Sequence, residues 1–253
     1  MSKVLVIVPF PLDEEGVENR RAQLREAGVS DSTEFVFRPV KAGPRLFDSE
    51  HDALLGDVAL TEVGIAARDE GFDAICIDSL SDSGLGAMRS VFDIPVVGPG
   101  RSAILTAMML GEKFSFITMW EPWSHTYKKT LKSMGLESFC ASVRWPTGLV
   151  PDFSKLLGGK EEEVFPKLLE TSQQCIADGA DVIILGSTTM HEAQEFLSQH
   201  LPVPVINPGP LSYKLAELFV SLRLTQSRLA YPNPAQPQYA GFTRMLEALA
   251  DEE

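Results

Sequence analysis

The chain has 253 residues, of which 44% are hydrophobic and 23% charged, as in soluble globular proteins with a buried core in one domain or two small lobes. Its 35 acidic residues against 22 basic ones give a formal net charge of −13, which argues against nucleic acids and anionic membranes as partners. No apolar run approaches the roughly 20 residues that a membrane helix needs, and no signal peptide is visible, so we expect a cytoplasmic protein.

In chain order, the first half alternates short apolar runs with helical patterns. The runs predict strands at Val4–Val8, Glu34–Arg38, Ala74–Asp78 and Pro95–Gly98. Helical spacing predicts helices at Glu15–Glu26, Asp57–Glu70, Gly84–Val91 and Ser102–Leu110.

The second half repeats this order. Strands are predicted at Phe114–Thr118, Cys140–Arg144, Val182–Leu185 and Val205–Asn207. Helices are predicted at Ser124–Met134, Glu162–Ala177, His191–Gln199 and Tyr213–Leu222, and a closing helix at Phe242–Ala250.

The two halves also repeat each other in sequence. Gly71–Ser79 aligns without a gap on Gly179–Ser187, 108 residues later, and Ile94–Gly100 aligns on Val203–Gly209. Strands that alternate with crossover helices form parallel sheets with helices on both faces. We therefore predict an α/β fold of two pseudo-symmetric Rossmann/flavodoxin-like lobes, each with a four-stranded parallel sheet. The predicted domains are residues 1–111, completed by the C-terminal helix 225–253, and residues 112–224.

Ligands of parallel sheets bind beyond the carboxyl ends of the strands, which directs attention to the residues that follow each strand. Ser79 and Ser187 occupy matched positions there, one in each half. Hydroxyls and backbone N–H groups at a helix start are typical of anion sites. We expect the two serines on opposite walls of one inter-lobe cleft, where paired groups suit chemistry at both faces of one carbon.

Helix capping is the simpler explanation for the neighbouring hydroxyls. Ser81 or Asp82 is a possible cap of the first helix, and Thr189 with Glu192 has the spacing of a capping box. Capping does not account for Ser79 and Ser187 themselves, because both precede these caps.

Other side chains at the strand exits are weaker candidates for substrate binding. Arg101 suits a substrate carboxylate or a surface ion pair, and His191, four residues after Ser187, suits a general acid/base or an exposed first-turn position. Phe10 and Trp120 align across the repeat. Two interpretations are open for them: they line the cleft with apolar surface, or they pack in a core. The predicted binding residues are Phe10, Ser81, Asp82, Arg101, Thr118, Trp120, Thr188, Thr189 and His191.

Neither a cofactor nor a metal is expected. A glycine-rich dinucleotide fingerprint and a P-loop are both absent from the sequence. The three cysteines, Cys76, Cys140 and Cys175, are odd in number and widely spaced, which argues against disulfides and a zinc cluster. We expect them to be buried thiols in a reducing compartment.

Five segments together resemble the aspartate/glutamate/hydantoin racemase superfamily, and its hydantoin racemase branch in particular. They are Asp78–Leu85, Pro95–Gly100, Phe114–Thr118, Leu185–Met190 and Leu224–Arg228. The resemblance covers most of the chain and implies racemisation without a cofactor. In that family one cysteine per lobe works on each face of the substrate carbon.

The resemblance implies that Ser79 and Ser187 are the catalytic positions, because they stand where the family has its two cysteines. The family's early asparagines fall on Val8 and Phe10. A thiol with a pKa of about 8.5 is partly ionised near neutral pH, whereas an isolated serine hydroxyl needs an adjacent base. His191 is the best candidate for that base.

Four functions therefore remain open. The first is an isomerase acting at an acidic carbon of a small carboxylate or of a cyclic ureide such as a hydantoin. The second is a decarboxylase or lyase of the same superfamily, and the third a non-catalytic protein that binds a small molecule. The fourth is an engineered double Cys→Ser variant of a racemase, against which the altered surroundings at Val8, Phe10 and Asp78 argue. The sequence leaves a homo-oligomer open.

Overall fold

A computed structural model describes residues 1–148 and 161–250. The chain divides into two compact units, residues 1–99 with 212–253, and residues 100–211. We call them the first and the second lobe. The lobe boundaries at 111 and 224 expected from the sequence stay a prediction.

The first lobe contains a four-stranded parallel sheet in the order β2-β1-β3-β4. Its strands are β1 (Ser2–Val8), β2 (Thr33–Pro39), β3 (Ala74–Ile77) and β4 (Val96–Val97). The inner strands β1 and β3 are apolar runs because helices cover both faces of a parallel sheet. The predicted sheet and its flavodoxin-like order are confirmed.

The helices of this part of the chain are α1 (Glu14–Arg21), α2 (Gln23–Ala27), α3 (Glu50–Ala66) and α4 (Leu85–Val91). The single helix predicted over Glu15–Glu26 is interrupted at Ala22, and its second piece ends at Gly28, whose φ is 54°. Helix α3 begins seven residues before the predicted start at Asp57, because Ser49 caps it by accepting a 3.2 Å hydrogen bond from the N–H of Asp52.

The second sheet repeats the topology of the first in the order β6-β5-β7-β8. Its strands are β5 (Phe114–Ile117), β6 (Cys140–Arg144), β7 (Val182–Leu185) and β8 (Val205–Ile206). The remaining helices are α5 (Pro99–Leu110), α6 (Ser124–Met134), α7 (Glu161–Ala177), α8 (His191–His200), α9 (Pro208–Leu222) and α10 (Tyr239–Ala250). The predicted second parallel sheet is confirmed.

Each lobe has its own core. In the first, the closing helix α10 inserts Leu246 into a cluster with the buried faces of α3 and β3. In the second, β7 packs against α7 and α8. Within the described residues, no helix is long and apolar enough to span a membrane.

The two serines stand at equivalent points of the two sheets. Strand β3 lies between β1 and β4, and β7 lies between β5 and β8. Ser79 follows the end of β3 by two residues, and Ser187 follows the end of β7 by two. Each serine is thus at the carboxyl end of an inner strand, where parallel sheets bind ligands.

Candidate active site

The turn after β3 places three serine hydroxyls in a chain. The Oγ atom of Ser79 lies 2.8 Å from that of Ser81, which lies 2.9 Å from that of Ser83. Ser79 and Ser81 are half-buried, whereas Ser83 is buried. Because linked hydroxyls polarise one another, the chain can present the Ser79 hydroxyl as an oriented donor or acceptor.

Asp82 shapes this turn. Its N–H donates to the Ser79 carbonyl at 3.1 Å, and its φ of 54° is in the left-handed region that aspartate tolerates better than most residues. Its carboxylate packs over Gly98, where an added Cβ would lie only 2.5 Å from Oδ1. The glycine at the β4 exit therefore makes room for Asp82.

The turn after β7 has the same construction. The Oγ atom of Ser187 lies 2.7 Å from Oγ1 of Thr189 and also accepts from the Thr189 N–H at 3.2 Å. The Ser187 carbonyl accepts from the N–H of Met190 at 3.3 Å, as the Ser79 carbonyl does from Asp82. Thr188 is buried in the same turn. Each lobe thus pairs its serine with the hydroxyl two residues further on.

None of these hydroxyls caps α4 or α8, although Ser187 caps the short 3-10 turn Thr188–Met190 that precedes α8. Helix α4 has Gly84 at its N-cap and α8 has Met190, and neither start has a side-chain capping hydrogen bond. The capping explanation offered for Ser81, Asp82 and Thr189 is therefore wrong. The α4 start is held instead by Asp57, whose Oδ1 accepts from the Gly84 N–H at 2.8 Å.

The residue before Ser79 belongs to a buried ion pair. The Asp78 carboxylate lies 3.2 Å from the Arg20 guanidinium of α1, and the two side chains are 0% and 4% exposed. Asp78 points into the lobe while Ser79 stays half-buried, as expected for neighbours on an extended chain. The ion pair thus anchors the start of the Ser79 turn to α1.

The residue before Ser187 is held by a tyrosine. Tyr127 of α6 donates from its phenol to the Gly186 carbonyl, and its oxygen lies 3.3 Å from Oγ1 of Thr118 at the β5 exit. Only glycine fits at 186, because a Cβ there would lie 2.6 Å from the Ile117 carbonyl oxygen and 2.8 Å from the Thr118 Cα. Thr118 is fully buried, so it supports the turn.

Tyr127 and Arg20 were missed by sequence reasoning. Each occupies a helix position that also suits an ordinary core or surface residue. One weak sequence signal could have indicated them: each lies on the helix that follows the first strand of its sequence repeat.

The aromatic candidates occupy their own lobes. Phe10 packs edge-to-face on Phe47 with ring centroids 5.5 Å apart, and Trp120 packs edge-to-face on Trp123 at 6.2 Å. All four side chains are partly exposed. Phe10 and Trp120 thus lie at the exits of β1 and β5 and keep surface available for a ligand.

Two further candidates complete the set. Arg101 lies in the first turn of α5 and is half-buried. His191 is the first residue of α8, but its side chain lies outside the part of the chain that the structure describes. Their roles stay predictions.

None of the three cysteines is an activated thiol. Burial raises the pKa of Cys76 within β3, with a further contribution from the Asp78 charge, and burial raises the pKa of Cys140 to about 11. Burial likewise raises the pKa of Cys175. All three remain protonated thiols near neutral pH. Among residues 1–148 and 161–250, no group of three or more His, Cys, Asp and Glu side chains is placed to hold a metal ion.

Comparison with known proteins yields one family. Residues 17–216 match the family model described as Asp/Glu/Hydantoin racemase. A hydantoin racemase from Pseudomonas sp. (strain NS671) is 31% identical over 219 residues, which cover 86% of each chain. The fold is similar to an allantoin racemase from Klebsiella pneumoniae (TM-score 0.81, 26% identity, 96% of this chain and 99% of that one). It is also similar to an allantoin racemase from Pseudomonas fluorescens (TM-score 0.82, 25% identity, 93% and 98%).

Proposed function

The chain belongs to the Asp/Glu/Hydantoin racemase family, and we propose that it is a cofactor-independent racemase of a cyclic ureide such as a hydantoin. The observation that carries the proposal is the pair of matched hydroxyl turns, Ser79 with Ser81 and Ser187 with Thr189, at the exits of equivalent strands. The names of the similar proteins support the substrate class, since hydantoin and allantoin share a five-membered ureide ring.

The chemistry of such a ring fits hydroxyl donors. The hydrogen on the stereogenic carbon is next to a carbonyl, so its removal places negative charge on the carbonyl oxygen in an enolate-like state. Donors aimed at this oxygen stabilise the transition state, and one well-placed donor contributes on the order of 3 kcal/mol. Ser79 and Ser187 are the donors that we assign to this role, one from each lobe.

Racemisation requires one group to remove the carbon-bound proton from one face and another to return a proton to the opposite face. A neutral serine hydroxyl does not keep that proton near neutral pH, so a base has to accept it through the serine. We assign this role to His191, because it follows Ser187 by four residues at the start of α8. In the proposal the Ser79 hydroxyl donates the proton to the opposite face and regains one through the linked hydroxyls of Ser81 and Ser83, while His191 releases its proton to water.

The remaining candidates would shape the substrate site. Phe10 and Trp120 offer apolar surface to the ring, and Asp82 holds the Ser79 turn. Arg101 would bind an anionic or carbonyl group of the substrate. The decarboxylase and binding-protein alternatives are not favoured, because the similar proteins named as hydantoin or allantoin racemases share 25–31% identity with this chain. The arylmalonate decarboxylases of similar fold share only 15–17%.

A substrate panel tests the proposal. Single enantiomers of allantoin and of 5-substituted hydantoins are incubated with the protein, with and without chelator, and optical rotation is followed against an enzyme-free blank. We expect rotation to decay to zero for at least one ureide, equally fast with chelator, while aspartate and glutamate are unchanged. Loss of optical rotation only for aspartate or glutamate would contradict the assignment. So would release of carbon dioxide from a malonate by a protein that leaves the rotation of every ureide unchanged.

A further inference from the structure

Tyr127 connects two strand exits of the second lobe through one buried phenol. Its side chain is only 4% exposed, it donates to the Gly186 carbonyl, and its oxygen lies 3.3 Å from Oγ1 of Thr118. Gly186 is the residue immediately before Ser187. The phenol therefore contacts the peptide unit that carries the proposed catalytic serine.

The direction of this hydrogen bond is fixed. Burial raises the pKa of Tyr127 well above its usual value, so the phenol stays protonated at any working pH. It carries one proton, and the Gly186 carbonyl can only accept. The Thr118 hydroxyl, 3.4 Å from the Trp120 carbonyl, is free to donate there or to the phenol oxygen.

This bond orients the Gly186–Ser187 peptide. The described chain contains no cis peptide bonds, so the N–H of Ser187 points away from the carbonyl that Tyr127 holds. The other end of Gly186 is also fixed, since its N–H donates to the Ile117 carbonyl at 2.7 Å. Glycine is the residue with the freest backbone, and here both of its polar groups are tied.

In the first lobe, the residue before the serine is held by an ion pair instead of a phenol. Asp78, the residue before Ser79, donates its N–H to the Ile7 carbonyl at 2.9 Å and pairs with Arg20 at 3.2 Å. Arg20 lies on α1 and Tyr127 on α6, the helices that follow the first strands of their sheets. A buried polar side chain from the equivalent helix thus holds the residue before each serine.

We infer that Tyr127 is a positioning residue that fixes the Gly186–Ser187 peptide for the reaction of Ser187. The inference rests on the proposed function for its catalytic consequence, and on the hydrogen-bond geometry alone for its structural one. Tyr127 acts through Ser187, so its contribution should be to turnover and should depend on the serine.

The variant Tyr127→Phe isolates the phenol, because the ring that stacks on Phe116 (centroids 4.9 Å apart, planes at 16°) is kept. A displacement of about 1 Å in a reacting group lowers rates by up to about a hundredfold. We expect kcat to fall by at least about tenfold with KM changed by less than about twofold, and the loss to disappear in a Ser187→Ala background.

Tyr213→Phe is the matched control. Tyr213 is also a fully buried tyrosine, and its phenol oxygen has no hydrogen-bond partner among the described residues. Its removal should leave kcat unchanged. If Tyr213→Phe lowers kcat as much as Tyr127→Phe, the effect is a general response to loss of a buried phenol and the inference is wrong.

Amide hydrogen exchange separates this inference from the proposed function. In Tyr127→Phe the amides of Ser187 and Thr188 should exchange at least about tenfold faster than in wild type, and in Tyr213→Phe they should not. This result supports the positioning role even if no ureide is racemised. Unchanged exchange at Ser187 in Tyr127→Phe overturns it even if the protein is an active racemase.

A wild-type measurement covers the case in which Tyr127→Phe does not fold. A phenol proton that is buried and donated exchanges slowly enough to be seen by NMR, and it should show a nuclear Overhauser effect to the α-protons of Gly186. Its presence supports the assigned hydrogen bond, and a Tyr127 hydroxyl in fast exchange with water contradicts it.

Discussion

Arg20 and Asp78 form an ion pair at 3.2 Å, and both side chains are almost completely removed from water. Asp78 immediately precedes Ser79, so the pair joins α1 to the segment that follows β3. Buried pairs are worth little relative to apolar replacements of equal volume, but loss of one partner leaves an uncompensated buried charge.

The first prediction concerns this pair. Arg20→Met should destabilise the protein by about 3–5 kcal/mol, because it removes the cationic half of a buried ion pair and leaves the Asp78 carboxylate without that guanidinium. The double variant Arg20→Met/Asp78→Leu should recover much of that loss. Urea unfolding measures both, and a double variant as unstable as the sum of the two single variants would show that the residues are not coupled.

The second prediction concerns the serines. Ser187→Ala should lower kcat by about 10²–10³-fold, since a donor to developing charge contributes mainly in the transition state. KM should change little. A parallel change in KM with kcat intact would assign Ser187 to ground-state binding alone.

Introducing thiols at the two serine positions gives a third prediction. The double variant Ser79→Cys/Ser187→Cys should racemise faster than wild type, and its rate should rise with pH toward the usual thiol pKa of about 8.5, because thiolate is the proton acceptor. Each single cysteine variant should gain less, because one thiol serves one face. A rate that is unchanged from pH 6 to pH 9 in the double variant would exclude thiolate as the acceptor.

Gly98 provides a fourth prediction. Gly98→Ala places a Cβ 2.5 Å from Oδ1 of Asp82 and 2.8 Å from Cδ2 of Leu85, so the Ser79 turn must shift. We expect a destabilisation of about 1–3 kcal/mol and lower activity. Gly86→Ala is the control: nothing lies within 4 Å of its added Cβ, and it should stabilise helix α4 by up to about 1 kcal/mol. Thermal unfolding distinguishes the two, and equal melting temperatures would contradict the close packing.

The fifth prediction is a pH effect in the second lobe. Hydrogen bonds from Arg144, with N–O distances of 2.5 and 2.8 Å, lower the pKa of Asp178 to about 2 from the usual 3.8. The stabilisation from this pair is therefore complete above about pH 4 and is lost as the pH falls toward 2. Asp178→Asn should flatten the dependence of unfolding free energy on pH in that window. Arg144→Met should flatten it less, because the Ser142 hydrogen bond that also lowers the pKa of Asp178 remains. If the unfolding free energy of the wild-type protein does not change between about pH 4 and pH 2, the pair does not contribute to stability.

The fold was largely predictable from the sequence because its main signals are local. Strands β3 and β7 are short apolar runs followed by a serine turn, and their alignment across the repeat revealed the duplication. The start of α3 was predicted too late, because the cap at Ser49 precedes the apolar spacing and Gly56 interrupts the helical pattern. Gly56 makes room for the Phe47 ring. The spacing of apolar residues along the sequence does not reveal such a contact.

The candidate site was only partly predictable. Ser79 and Ser187 are marked by the repeat, but Tyr127 and Arg20 act through buried contacts with residues 59 and 58 positions away. Such contacts depend on which helix covers which strand end. Hydroxyls that resemble caps in sequence, such as Thr189, pair instead with the serine two residues before them.

The most direct test follows the carbon-bound proton and the optical rotation of each enantiomer of a 5-substituted hydantoin, separately, in D₂O. We expect both enantiomers to lose the proton to solvent and to lose rotation, with equal kcat/KM because the equilibrium constant of a racemisation is one. We also expect Ser79→Ala and Ser187→Ala each to slow both signals by at least about a hundredfold. Retention of the proton in both enantiomers, or rates unchanged in the two serine variants, would contradict it.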